Sequence, residues 1–182
     1  MAATPGGSAN SLPRLSRYEV LAAVDIPASR LTQSYDPSRR PRLSRSQQAA
    51  MEQTWQELLR SGRRLTDGVL YRVLGFSQSA EGLRISLGRT SYREYLCTNV
   101  AHPEWRQEYG PECMSDAVAV TGVAVTRDGR VPLQRRSALV GEWPGAYAVA
   151  PSGHPQPPNT IQEALMEELV EETGARPAEV EG

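Results

Sequence analysis

Apolar residues recur at helical spacing in two stretches of the chain and alternate at strand spacing in several others. Between positions 46 and 59, Ala50, Met51, Trp55, Leu58 and Leu59 share one face. This predicts an amphipathic helix capped by Ser46, with Trp55 in the core. Positions 69–76 and 83–87 read as strands joined by a polar turn at 77–82, the pattern of a hairpin. Ser91 and Glu94 then stand three apart, as a capping box opening a short helix within 89–99. Beyond Ser115 the pattern changes to valine-rich alternation at 116–126. Asp128-Gly129 is a strong hairpin signal, and 131–136 is expected to return as the partner strand. A third short strand is expected at 147–150, followed by a proline-rich irregular loop at 151–159. The last element is a helix over 161–173. Ile161, Ala164, Leu165 and Leu169 form its apolar face, Thr160 and Glu163 its capping box, and Gly174 its stop.

This order implies an α+β protein in three parts: a disordered leader at 1–15, an α+β region at 16–115, and a second region at 116–182. Within the middle part, 18–26 is a strand candidate ended by Pro27. The segment 36–45, with two prolines and four arginines, is an exposed connection.

Composition adds exclusions. The 182 residues carry 20 basic and 21 acidic side chains, so no global charge points to nucleic acid or a membrane surface as partner. No run of about 18 apolar residues offers a membrane span, and the first residues lack a signal peptide's apolar core. The expectation is a soluble intracellular protein, cytoplasmic or nuclear, whose oligomeric state the sequence leaves open. Cys97 and Cys113 have neither CxxC spacing nor a histidine at ligand spacing, and read as ordinary reduced thiols.

The charge balance conceals a split: residues 116–182 hold 5 arginines against 10 acids, and half of those acids lie between Glu163 and Glu172. Glu163, Glu167, Glu168, Glu171 and Glu172 share one helix with no cation among them. The pairs 163/167, 167/171 and 168/172 are four apart, and each like-charge pair should cost an isolated helix about 0.2–0.5 kcal/mol. Acids in the last turn also oppose the helix dipole. A divalent cation removes both objections. Glu168, Glu171 and Glu172 stand at i, i+3 and i+4, three hard oxygen donors suited to Mg²⁺ or Mn²⁺. Such an ion neutralises a diphosphate and activates water for attack at phosphorus.

The surrounding residues resemble the Nudix box, which runs Gly, five residues, Glu, seven residues, Arg-Glu, aliphatic, any, Glu-Glu, any, Gly, aliphatic. Here Gly153, Asn159, Glu167-Glu168, Leu169, Val170, Glu171-Glu172, Thr173, Gly174 and Ala175 fall in the same register. Asn159 departs from the first Glu and Glu167 from the Arg. In the family that Arg usually holds a box glutamate in place, which Glu167 is not expected to do. The segments LGRTSYREYLCTN at 87–99 and PSGHPQP at 151–157 further resemble the UDP-glucose pyrophosphatase subfamily. That subfamily has an acidic residue shortly before the loop glycines, where this chain has Val149.

The resemblance implies a Nudix α/β/α sandwich preceded by an α+β region, and Mg²⁺-dependent (or Mn²⁺-dependent) hydrolysis of a nucleotide sugar. UDP-glucose, split into UMP and glucose 1-phosphate, is the expected substrate. It carries metal and catalytic roles to Glu168, Glu171 and Glu172, and substrate contacts to Tyr92, Arg136, His154 and Gln156. Tyr92 would stack on uracil, Arg136 would fork onto phosphate, and His154 would bond a phosphate or sugar hydroxyl. Other readings keep the box and change the substrate to ADP-ribose, a dinucleotide or coenzyme A, or drop catalysis and leave a nucleotide binder or an inert truncated product. Only a few residues follow Gly174, so the expected sandwich is incomplete, with edges and an apolar face uncovered and Ile161, Leu165 and Leu169 short of partners. The chain alone is then expected to be poorly stable and weakly active.

Overall fold

The computed structural model describes residues 22–140, 142–176, 178 and 180. The leader at 1–15 and the start of the 18–26 strand candidate lie outside them. Residues 22–26 form no regular element, since no neighbouring strand supplies a ladder. The first strand is instead β1, Leu31–Asp36, whose polar sequence LTQSYD conceals it from a hydrophobic pattern.

After the exposed arginine-rich connection comes α1, Arg45–Arg60. It starts earlier than expected because Ser44, not Ser46, caps it: Ser44 Oγ accepts from Gln47 N–H, and Gln47 Oε1 accepts from Ser44 N–H. Met51 and Trp55 face inward and pack on Leu96 and Cys97. The expected hairpin is present and longer than read, β2 (Val69–Ser79) pairing antiparallel with β3 (Gly82–Ser91). β1 adds to the free edge of β3 in parallel, giving the order β1-β3-β2.

Ser91 caps α2, Tyr92–Tyr95, accepting from Glu94 N–H. The box is not reciprocal, because Glu94 Oε2 takes the Thr90 hydroxyl instead. A wider turn, Leu96–Ala101, and α3, Trp105–Tyr109, follow. Cys97 and Cys113 are both buried free thiols.

The valine-rich stretch forms less sheet than its alternation suggests. Asp116 and Val118 bond to β2 through Val73 and Tyr71, and only β4, Val120–Thr121, is a strand. Val123 and Val125 are 63% and 64% exposed, so alternation there has no second layer to bury it. The Asp128-Gly129 turn closes as expected, Thr126 N–H donating to Arg130 C=O. The chain after it does not pair back, however. β5 (Leu133–Arg135) pairs with β6 (Tyr147–Val149), and β4 pairs with β7 (Ser152–Gly153), a strand within the loop expected to be irregular.

The final helix, α4, is Ile161–Thr173, with the reciprocal Thr160/Glu163 box and a left-handed Gly174. Two residues of its apolar face, Ile161 and Leu165, pack into one cluster with Tyr71, Leu87, Val118 and Val120. The core therefore spans both halves of the chain, and α4 rests on the N-terminal sheet. Exposed apolar surface collects elsewhere, at Leu133, Trp143 and Tyr147. Among the described residues no helix is long and apolar enough to cross a membrane.

Candidate functional site

Helix α4 carries Glu168 and Glu172 toward β5 and the β7 loop. Glu168 is partly buried, and its carboxylate lies directly over Gly153. Glu172, one turn on, accepts from Gln134 Nε2 of β5 at 2.7 Å and from the Ser152 backbone N–H at 3.0 Å. Glu171 is exposed. Burial, followed by the charges of Glu172 and Glu171, raises the Glu168 carboxyl above its ordinary value, against a lowering from His154. A carboxylate raised by folding adds stability while protonated and loses it as pH rises through its folded value. Its charged form is thus a local cost that a cation would offset.

Among the described residues, no three His, Cys, Asp or Glu side chains converge as a preformed cation site. The three glutamates share the helix end without closing on one point. The donor set still fits Mg²⁺ chemically. That ion keeps several waters and takes one or two carboxylates plus substrate oxygens, a requirement that two carboxylates one turn apart are chemically able to meet.

The two departures from the box meet each other. Asn159 Nδ2 donates to Glu167 Oε2 at 2.7 Å, so Glu167 pairs with the loop before the helix and with no box glutamate.

Around His154 the structure gathers Tyr92 and, through Glu142, Arg136. Tyr92, Tyr95 and His154 form an aromatic group, with ring centroids 6.0 Å (Tyr92–His154) and 5.2 Å (Tyr95–His154) apart. Arg136 Nε donates to the backbone oxygen of Glu142 at 3.1 Å. Gln156 is exposed, and its amide faces Gly68, whose carbonyl accepts from the Tyr92 backbone N–H.

The group's centre is Glu142, which sequence reasoning missed. It accepts from Tyr95 Oη at 2.6 Å and faces His154 Nε2 at 3.6 Å, while His154 Nδ1–H donates to Val118 C=O at 2.8 Å. Both imidazole nitrogens thus face acceptors. Burial disfavours the imidazolium, but the Glu142 and Val118 contacts outweigh it, and the His154 pKa is raised. Burial likewise pushes Glu142 up, and bonds from His154 and Tyr95 bring it below its ordinary value. Only a lone acid in a Trp-Pro-Gly loop marked it in the sequence.

The sign of the pH effect follows. The raised histidine contributes fully below its unfolded value of 6.5 and loses that contribution as pH rises through its folded value. The lowered Glu142 contributes above its unfolded 4.5 and loses it as pH falls through its folded value. Glu142→Gln is therefore expected to destabilise most between about pH 4.5 and 6.5 and to lower the His154 pKa. Melts across pH and the imidazole proton shifts in NMR check both. An unshifted histidine would show that Glu142 is not its partner.

Residues 116–181 match the NUDIX domain family. Nudix hydrolase 9 of Arabidopsis thaliana is 28% identical over 165 residues, covering 80% of this chain and 52% of that protein. A mouse protein, uridine diphosphate glucose pyrophosphatase NUDT22, is 36% identical over 83 residues, 41% of this chain and 27% of its own length. Its human counterpart is 30% identical over 121 residues, 59% of this chain and 40% of its own. The chain thus spans about half or less of the relatives it matches.

Proposed function

Taking residues 116–181 as a hydrolase domain of NUDIX type, we propose that the chain cleaves the diphosphate of a nucleotide sugar in a divalent-cation-dependent reaction, with UDP-glucose as substrate. The observation that carries this reading is the pair Glu168 and Glu172. They stand one turn apart at the end of α4, the first raised by burial and by its acidic neighbours. Mg²⁺ or Mn²⁺ held there supplies charge neutralisation and water activation at phosphorus. Water adds to one phosphorus, the bridging P–O bond breaks, and UMP and glucose 1-phosphate leave.

Glu168 and Glu172 hold the ion in this reading, and Glu171, at the exposed rim, serves as third ligand or base. The His154 ring and the Arg136 guanidinium, both set against Glu142, would face the diphosphate in this reading. Tyr92 offers a ring face for uracil. The subsidiary match to the two uridine diphosphate glucose pyrophosphatases supports the choice of sugar nucleotide.

Phosphorus NMR of the chain with UDP-glucose and Mg²⁺ tests the reading. UMP and glucose 1-phosphate are the expected products. A panel including ADP-ribose, a dinucleotide and coenzyme A separates substrates, since the box does not read the base. Faster cleavage of one of these would reassign the substrate. A second reading, a nucleotide binder without turnover, is favoured by Glu167, which pairs with Asn159 where the box has an Arg that holds a glutamate. UDP-glucose binding that persists with no product would support it.

A further inference from the structure

We infer that Gln33 and Tyr71, on strands far from the acidic helix in sequence, are positioning residues that set where its carboxylates stand. Gln33 in β1 uses both ends of its amide. Its Oε1 accepts from the Ile161 backbone N–H at 2.8 Å, and its Nε2 donates to Tyr71 Oη and to Asn159 C=O, each at 3.5 Å. Tyr71 in β2 donates its hydroxyl to the same Asn159 carbonyl at 2.9 Å. From the helix side, Gln162 Nε2 donates to Ala28 C=O and Leu31 C=O, both at 2.9 Å. The residues just before α4 and its first two positions are thus gripped by the N-terminal sheet.

The Ile161 N–H belongs to the first turn, whose amides have no partner within the helix. Gln33 supplies that partner across 128 residues of sequence. Tyr71 is 1% exposed and also packs on Leu87 and Ile161, so its ring and hydroxyl hold the helix by two independent means. An α-helix is stiff, rising about 1.5 Å per residue, so fixing its start and direction fixes Glu168 and Glu172 roughly 10 and 16 Å along the axis.

At the far end, Glu172 is itself the tether, through Gln134 and Ser152. Those contacts occupy the oxygens a cation would take. When Glu172 turns to a cation, the grip on the N-terminal end is what keeps the helix in place. The N-terminal sheet is then part of the catalytic apparatus, a consequence that rests on the proposed function, whereas the mechanical role does not.

The test compares Gln33→Leu, Gln33→Glu and Tyr71→Phe with the parent chain. Mn²⁺ affinity is read by electron paramagnetic resonance, global stability by thermal melting, and helix anchoring by amide hydrogen exchange over 161–165. Gln33→Leu and Tyr71→Phe should weaken Mn²⁺ binding by about tenfold, as loss of supporting contacts behind a metal ligand does, and should speed exchange in α4 before the β2–β3 hairpin. Gln33→Glu keeps an acceptor for Ile161 N–H and should recover most of both. Unchanged affinity and exchange in the folded Leu and Phe variants would overturn the inference, as would losses that only follow the melting temperature. If Gln33→Leu fails to fold, Tyr71→Phe, which removes a single oxygen, decides. If the parent chain binds no Mn²⁺, the proposed function falls, and the exchange pattern alone decides the positioning role.

Discussion

Glu172→Gln is expected to lower the Mg²⁺-dependent part of UDP-glucose turnover by about 100-fold or more, whatever the absolute rate of the parent chain. The substitution keeps size and shape and replaces an anionic oxygen with an amide. Glutamine retains a carbonyl oxygen for Gln134 Nε2 or Ser152 N–H, so the ties from α4 to β5 and β7 are only partly lost. Glu172 is exposed, which keeps the cost to the fold small. What disappears is a hard charged donor for a hard cation. Initial rates with and without Mg²⁺, beside circular dichroism to verify the fold, check this. Equal Mg²⁺-dependent rates in parent and variant would remove Glu172 from the metal site.

A second large effect is expected from a single methyl group. In Gly153→Ala the new Cβ would overlap the Glu168 carboxylate, coming closer to its Oε1 and Cδ than non-bonded atoms can. The obstacle is the end of a flexible side chain, so the glutamate swings away and the backbone need not move. The β4–β7 pairing and the α4 core contacts through Ile161 and Leu165 survive. Melting should therefore change little, while cation affinity and turnover fall about tenfold or more. This gives the first box glycine a physical reason: it leaves room for the carboxylate to lie on the loop backbone. A variant that binds cation and turns over as the parent does would show that Glu168 need not lie there.

Elements whose signals are local were legible in the sequence, and those that depend on distant partners were not. Helix α4 matches its expected span because Thr160, Glu163, the apolar stripe and Gly174 all lie within it or next to it. The β2–β3 hairpin was readable for the same reason, its strands joined by a short polar turn. For α1 the helix was clear and its cap was not, since Ser44 and Ser46 both precede the apolar face and Gln47 settles the choice. β1 was hidden because a polar strand held in parallel by β3 has no periodicity of its own. The valines of 116–126 misled in the other direction: alternation without a covering layer leaves Val123 and Val125 in solvent.

The site divides in the same way. Glu168, Glu171 and Glu172 were visible from spacing alone, and the resemblance to the Nudix box drew attention to Asn159 and Glu167 as separate departures. That these two bond to each other is a fact of the loop geometry before α4. Glu142 and Gln33 could not be found by spacing. The first meets Tyr95 across 47 positions and the second meets Ile161 across 128.

The most direct measurement of the central claim is Mn²⁺ binding by electron paramagnetic resonance to the parent chain, Glu168→Gln and Glu172→Gln. One Mn²⁺ should bind the parent, and each variant should bind it about tenfold or more weakly, with addition of UDP-glucose tightening the parent's hold. Binding that is equally strong in all three proteins would contradict the assignment of the metal to the end of α4, and with it the proposed hydrolysis.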